Sequence, residues 1–222
     1  MTTMDLSEAR KEWVYFLRNS DVFPTTLRGV TTANDVTGTF AGETELLINR
    51  TNVRNIRSIV VASVTLDFGA DYTYDTDYDD SGTKKCKISF TSAQSGAYTV
   101  TYDYGTEKVY PGYPQPQMTI SQFPRCGSDF IDTKTVPGGF GRVDKSSNTM
   151  TTVFYSKNIK DLYTYVDRLR VAIRAAKTDF YYIGKVVRLI AVGPVIKMPR
   201  DRGYDKIFQV NVDTIGEFNY EK

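Results

Sequence analysis

The stretch TMTTVFYSKNIKDLYTYVDRLRVAIRAAKT, residues 149–178, decides the fold. Ile159, Leu162, Val166, Leu169, Ile173 and Ala176 recur at alternating steps of three and four, the spacing of one apolar stripe on a 3.6-residue helix. Lys160, Asp161, Thr164, Asp167, Arg168, Arg170, Arg174 and Lys177 fall on the other face. Asn158 is placed to cap the start, and Asp161 lies in the first turn, where it complements the helix dipole. Arg170, Arg174 and Lys177 stand toward the end that favours cations. A helix that is apolar on one side must pack on something, and a sheet is the expected partner. Residues 150–155 before it favour strand, as do 186–196 and 207–218 after it, with a turn at 198–204 between those two. Phe208, Val210 and Val212 alternate with Gln209, Asn211 and Asp213, the pattern of a half-exposed antiparallel strand.

Toward the N-terminus, Leu6, Ala9, Trp13, Phe16 and Leu17 line one side of a second amphipathic helix over residues 6–18, and Asp5 with Glu8 has capping-box spacing. Residues 31–45, rich in Thr, Gly, Ala and Asn, read as a linker or long loop. Residues 45–105 read as a β module, with strands at 58–68, 72–75, 84–90 and 97–104 separated by turns at 67–69, 79–82 and 92–96. Residues 110–116, with three prolines, fit neither a helix nor a central strand and lead into a strand at 117–123. Residues 124–148 then read as a loop of about 25 residues. The expected fold class is α+β: a mixed or antiparallel four-stranded sheet packed by two helices, formed by residues 1–44 and 106–222. A small all-β, sandwich-like module at 45–105 is inserted into it.

The chain has 222 residues, 41% of them apolar and 24% charged, in the range of a folded globular protein. Its 28 basic and 26 acidic side chains leave a net charge of +2, too balanced for an obvious nucleic-acid footprint. Sixteen tyrosines and twelve phenylalanines suit β-rich surfaces and interfaces. Cys86 and Cys126 have no metal-ligand spacing and are expected to be reduced, in a cytosolic or virion protein. Residues 1–13 lack the apolar core of a secretory leader, and no run of about 18 apolar residues is present to span a membrane.

Histidine is absent, which removes imidazole-based triads, metal sites and proton shuttles. Asp75, Asp77, Asp79, Asp80 and Gly82 resemble a calcium loop only superficially: the sixth and twelfth positions are Asp80 and Cys86, where an EF-hand requires Gly and Glu. A solvated acidic turn is the simpler reading. Residues 138–146 hint at a phosphate loop, but Asp144 stands where the motif needs Gly. Nothing in the spacing of Glu43, Glu45, Asp129 and Asp132 singles out a glycosidase pair. The expectation is a protein without catalytic, metal or cofactor sites.

With the β module set aside, the order of elements over residues 4–18, 115–121, 151–177 and 186–218 resembles the tail terminator (tail completion) proteins of long-tailed bacteriophages. Pro116-Gln-Met-Thr-Ile120 is similar to that family's short proline-led strand. The resemblance implies a virion structural protein of the tail or neck, assembled in the host cytoplasm as a hexameric ring. Its partners would be the tail tube protein and the head–tail connector, with genomic DNA passing through the lumen without sequence-specific binding. Contacts with tube or neighbour are expected at Arg125, Phe130, Phe140, Arg142 and Lys145 in the long loop, Arg168 and Arg174 on the helix, and Arg200, Arg202 and Tyr204 in the turn. Another neck component is one alternative. A carbohydrate-binding module, with Tyr72, Tyr74, Tyr102 and Tyr104 as a stacking platform, is another.

Overall fold

The structure, a computed structural model, describes residues 6–112, 123–136, 143–176, 180–184, 186–198 and 207–221. The chain divides into two compact units: Arg28–Glu107, and Met1–Leu27 together with Lys108–Lys222. The larger is called unit 1 and the inserted one unit 2.

Unit 1 opens with α1 (Leu6–Asn19), followed by the single turn α2 (Thr25–Arg28), whose last residue begins unit 2. Ala9, Trp13, Val14 and Leu17 of α1 are buried. In α3 (Ile159–Ala175) the buried side chains are Leu162, Tyr165, Val166, Leu169 and Ile173. Asn158 caps α3, its side chain accepting from the Lys160 N–H at 3.1 Å, and the Ser156 hydroxyl donates to Asp161 at 3.1 Å. Ile159, which heads the expected stripe, is instead exposed.

Both helices pack on a six-stranded sheet of β6 (Val109–Pro111), β7 (Arg125–Val136), β8 (Val143–Ser156), β9 (Val186–Val192), β10 (Ile196–Lys197) and β11 (Phe208–Glu221). Its order is β10-β11-β8-β7-β6, with β9 also on β11, and every pairing except the parallel β6–β7 is antiparallel. On the helix side Cys126, Met150, Phe154, Val210 and Val212 meet Trp13, Leu162, Val166 and Leu169 in one core. The Trp13 indole N–H donates to the Thr152 hydroxyl at 2.9 Å, satisfying the one polar atom of the largest buried side chain.

Unit 2 is a five-stranded antiparallel sheet of β1 (Val30–Ile48), β2 (Val53–Val61), β3 (Val64–Thr65), β4 (Tyr72–Asp80) and β5 (Thr83–Gly105). The 23-residue β5 pairs with β1 along both halves, with β4 along its first half and with β2 along its second. Tyr72 and Ile88 from the first half share a core with Ile56, Ile59 and Val100 from the second, so the sheet curls on itself. The bend lies at the register shifts between Ala41 and Glu45, flanked by Gly42 and Gly96, both at positive φ.

These observations correct the expected fold. Among the described residues the protein is mostly β, with three helices and two sheets of five and six strands, not a four-stranded sheet with two helices. Residues 31–45, expected as a linker, lie in strand β1, so unit 2 begins at Arg28 rather than Glu45. The stretch 124–148, expected as a loop, supplies all of β7 and the first part of β8. The run at 186–196 divides into β9 and β10 around Pro194, which has no N–H for a ladder, while the Gly193 N–H still reaches the Asn211 carbonyl at 2.8 Å. The run at 58–68 breaks at Ala62 and Ser63, both at positive φ, and the 92–96 turn lies within β5. The proposed strand at 117–123, apart from Phe123, the turn at 199–204 and Asp5 lie outside the described residues.

Candidate assembly surface

Unit 2 holds a buried charge network that begins and ends with its own first and last residues. The Arg28 side chain is 0% exposed. Its Nη2 donates to Glu107 at 2.6 Å, and its Nη1 to Asp103 at 3.0 Å. Asp103, also fully buried, accepts from Arg57 Nε at 2.8 Å, the Thr32 hydroxyl at 2.7 Å and Asn55 Nδ2 at 3.3 Å. Thr32 and Asn55 are the cross-strand neighbours of Asp103 on β1 and β2, and Arg57 is the extra residue of a bulge in β2, which turns its side chain onto the carboxylate. Two guanidiniums face two carboxylates, so the group is neutral. Burial pushes the Asp103 carboxyl upward, but the hydrogen bonds from Arg57 and Thr32 and the charges of Arg28 and Arg57 outweigh it and hold it below its usual range. Asp103 stands in sequence between Tyr102 and Tyr104 on β5, and no local signal marks it as buried.

In unit 1 the buried Glu12 of α1 accepts from three successive backbone N–H groups. They belong to Tyr181, to Tyr182 at 2.8 Å and to Ile183 at 2.7 Å. Burial raises this carboxyl above its ordinary value and the three N–H groups only partly oppose it. The bonds fasten the segment between α3 and β9 to the core. Gly216 makes the close approach possible: a Cβ there would lie 2.3 Å from the Ile183 carbonyl oxygen.

Beyond that segment the surface is apolar. Val186 and Ile190 of β9 and Ile196 of β10 are each about half exposed, and Val192 slightly less. Tyr181 precedes them, and Ile159, Tyr163 and Val171 stand out from α3. Of nine exposed large apolar side chains among the described residues, these are eight; the ninth is Val64 of unit 2. Arg188, the cation within β9, is met by Glu217 of β11 at 2.7 Å.

The chain matches no family model, no curated protein and no solved structure.

The expected contact residues fall in different places. Arg168 and Arg174 are exposed on α3. Arg125 is 1% exposed, on the sheet face opposite the helices, its guanidinium 4.6 Å from the Phe123 ring and 5.9 Å from that of Tyr110, and burial pulls its pKa below the usual value. It therefore packs inside unit 1 and is not a surface contact. Phe130 lies in β7 opposite Met150, and Lys145 in β8 between Val136 and Asn219. Phe140, Arg142, Arg200, Arg202 and Tyr204 lie outside the described residues.

Other readings of the residues are also placed. Tyr72 and Tyr102 are 0% and 1% exposed, so the four tyrosines form no stacking platform. Asp75, Asp77, Asp79 and Asp80 lie along β4, with Lys85 bound to Asp80 at 2.6 Å and Lys84 at 3.7 Å from Asp77. The turn that follows is made by Ser81 and Gly82, both at positive φ. Among the described residues no group of three His, Cys, Asp or Glu is arranged to hold a metal. No described helix is long and apolar enough to cross a membrane. Glu43 and Glu45 belong to unit 2, and Asp129 to unit 1, where it pairs with Arg10.

Proposed function

We propose that the protein is a structural subunit of a phage tail or neck, of the tail-terminator kind, which closes into a ring at the end of the tail tube and meets the head connector on its other side. The observation that carries this reading is the run of exposed apolar side chains along β9 and β10 of unit 1: Val186, Ile190, Val192 and Ile196. Apolar side chains left exposed along one stretch of strand mark a place for another chain to bind. Covering the four half-exposed side chains of β9 and β10 is worth about 1 kcal/mol each. A ring needs two different surfaces that meet head to tail, and a subunit with this role needs no catalytic group. The terminator is named here on the resemblance carried by the sequence alone, and the tube itself and the duplex in its lumen are the partners that follow from it.

The test is the state of the purified chain. Light scattering and negative-stain microscopy should find a closed ring with a central hole, and the ring should arrest growth of tail tubes assembled in vitro. A monomer at tens of micromolar would overturn the reading. A ring that leaves tube growth unchanged would favour another neck component.

A further inference from the structure

We propose that the outer face of α3 is a seat for the phosphate backbone of a nucleic-acid duplex. The inference deepens the ring reading above, which has a duplex in the lumen, and its test separates the two. The net charge of +2 conceals a split between the units. Residues 28–107 carry seven basic and eleven acidic side chains, a net charge of −4, and the rest of the chain carries 21 basic and 15 acidic, a net charge of +6. Within unit 1 the basic surplus gathers at one element. Lys157, Lys160, Arg168, Arg170 and Arg174 lie on α3 or just before it, against Asp161 and Asp167. All five cations are exposed. Cations clustered along one helix are the electrostatic footprint of a nucleic-acid partner.

Both carboxylates are already engaged beside the helix. Asp161 accepts from the Ser156 hydroxyl at 3.1 Å and from the Asn158 amide at 3.4 Å. Asp167 pairs with Arg170 at 3.1 Å. What the face presents outward is therefore mainly donors: the Lys160 ammonium, the Arg168 and Arg174 guanidiniums, and the hydroxyl of Tyr163, which is 55% exposed. A guanidinium can give a phosphate two parallel N–H bonds, and a tyrosine hydroxyl can give one more.

The spacing selects the kind of anion. Lys160 and Arg174 stand at opposite ends of about 21 Å of helix, at 1.5 Å per residue, too far apart for one phosphate group to bridge. A duplex carries a charge about every 1.7 Å of its axis, so a row of that length meets several phosphates. An anionic membrane fits less well, because the apolar side of α3, with Leu162, Val166, Leu169 and Ile173, is buried in the core of unit 1. That leaves no apolar face to enter a bilayer. A single strand calls for several exposed rings on which its bases stack, and α3 exposes only Tyr163. Contacts to phosphates carry no sequence information and let a protein slide along the duplex, which suits a subunit that surrounds a passing one.

The test titrates the purified chain into a fluorescent duplex of about 30 base pairs and reads anisotropy between about 50 and 200 mM salt. The wild type should bind, with an affinity that falls steeply as salt rises. Arg168→Ala/Arg174→Ala should weaken binding about tenfold at the low-salt end and flatten the slope of log K against log salt by about 2. Lys84→Ala/Lys197→Ala removes two exposed cations elsewhere and should change neither; melting transitions check that both variants fold. No duplex binding at low salt, an α3 variant that binds like the wild type, or an equal loss in both variants would overturn the proposal. Binding to phosphatidylserine vesicles without binding to the duplex would also overturn it and assign the face to a membrane. Light scattering on the same samples reads assembly. A ring that ignores the duplex removes this inference and leaves the ring reading standing, and a monomer that binds the duplex through α3 does the reverse.

Discussion

Replacing Arg28 by Met is the sharpest test of how unit 2 is held. The guanidinium makes its contacts with Glu107 and Asp103 at zero exposure, and the Glu107 side chain is only 5% exposed. Asp103 would keep Arg57, Thr32 and Asn55, but no contact with Arg28 would remain for Glu107. The buried group would pass from neutral to one excess negative charge. Removing one partner of a buried pair costs about 3–5 kcal/mol. Unit 2 should therefore lose a large share of a typical domain's margin of about 5–15 kcal/mol.

The readout is urea unfolding followed by hydrogen exchange in peptides from 28–107. Trp13, the only tryptophan, lies in the core of unit 1, so its fluorescence reports the other unit. Arg28→Met should open residues 28–107 well before Trp13 fluorescence changes. Adding Glu107→Gln should recover about 2 kcal/mol, because the remaining Arg57–Asp103 pair is again neutral. A loss below about 1 kcal/mol for Arg28→Met, or a double variant weaker than the single, would refute the argument that charge balance holds this unit together.

Three further outcomes follow from the geometry. Asp103 titrates below its ordinary 3.8 in the folded protein, so its contribution is complete above that value and is lost as pH falls through the depressed one; Asp103→Asn should flatten the acid limb of the stability curve, and an unchanged limb would reject it. Gly216→Ala places a methyl group 2.3 Å from the Ile183 carbonyl oxygen and should cost about 2–3 kcal/mol in a thermal melt, whereas a neutral result would mean the turn yields freely. Burial first, and then the charge of Asp75, pushes the Cys86 thiol up to about 12; a thiol reagent should leave Cys86 unmodified in the native protein and react with it in denaturant, and rapid native labelling would contradict the burial.

The helices were legible because each carries its signal within a few turns. The apolar stripe of α3 and the Asn158 cap lie inside residues 158–176, and the structure keeps all of it except Ile159 at the exposed start. The long strands were not legible, because their punctuation marks bends rather than ends. Gly42 and Gly96 sit where β1 and β5 turn together, and the residues between Ser92 and Gly96 resemble a turn while remaining part of β5. The Thr-rich stretch after Val30 shows no apolar alternation because most of it faces solvent, and pairing with β5 alone makes it a strand. The same error hid β7 and the start of β8 within an apparent loop. A deletion of residues 126–147, which the loop reading would tolerate, would instead remove most of β7 and the first part of β8.

The assembly surface was less legible still, for a different reason. Val186, Ile190 and Ile196 are the residue types that a strand buries, and composition alone assigns them to a core. They are exposed because β9 and β10 have β11 on one side and, among the described residues, no strand on the other. Likewise, nothing local to residues 129–136 says that the neighbouring strand ends at Pro111. Openness of an edge is a property of pairing over the whole sheet. The arginines singled out as contact residues carry their charge wherever they lie, which made them conspicuous in sequence; Arg125 shows that conspicuous charge can be buried against aromatic rings. The pairing of β9 and β7 is likewise silent in sequence, because which strand lies beside another depends on residues far apart in the chain.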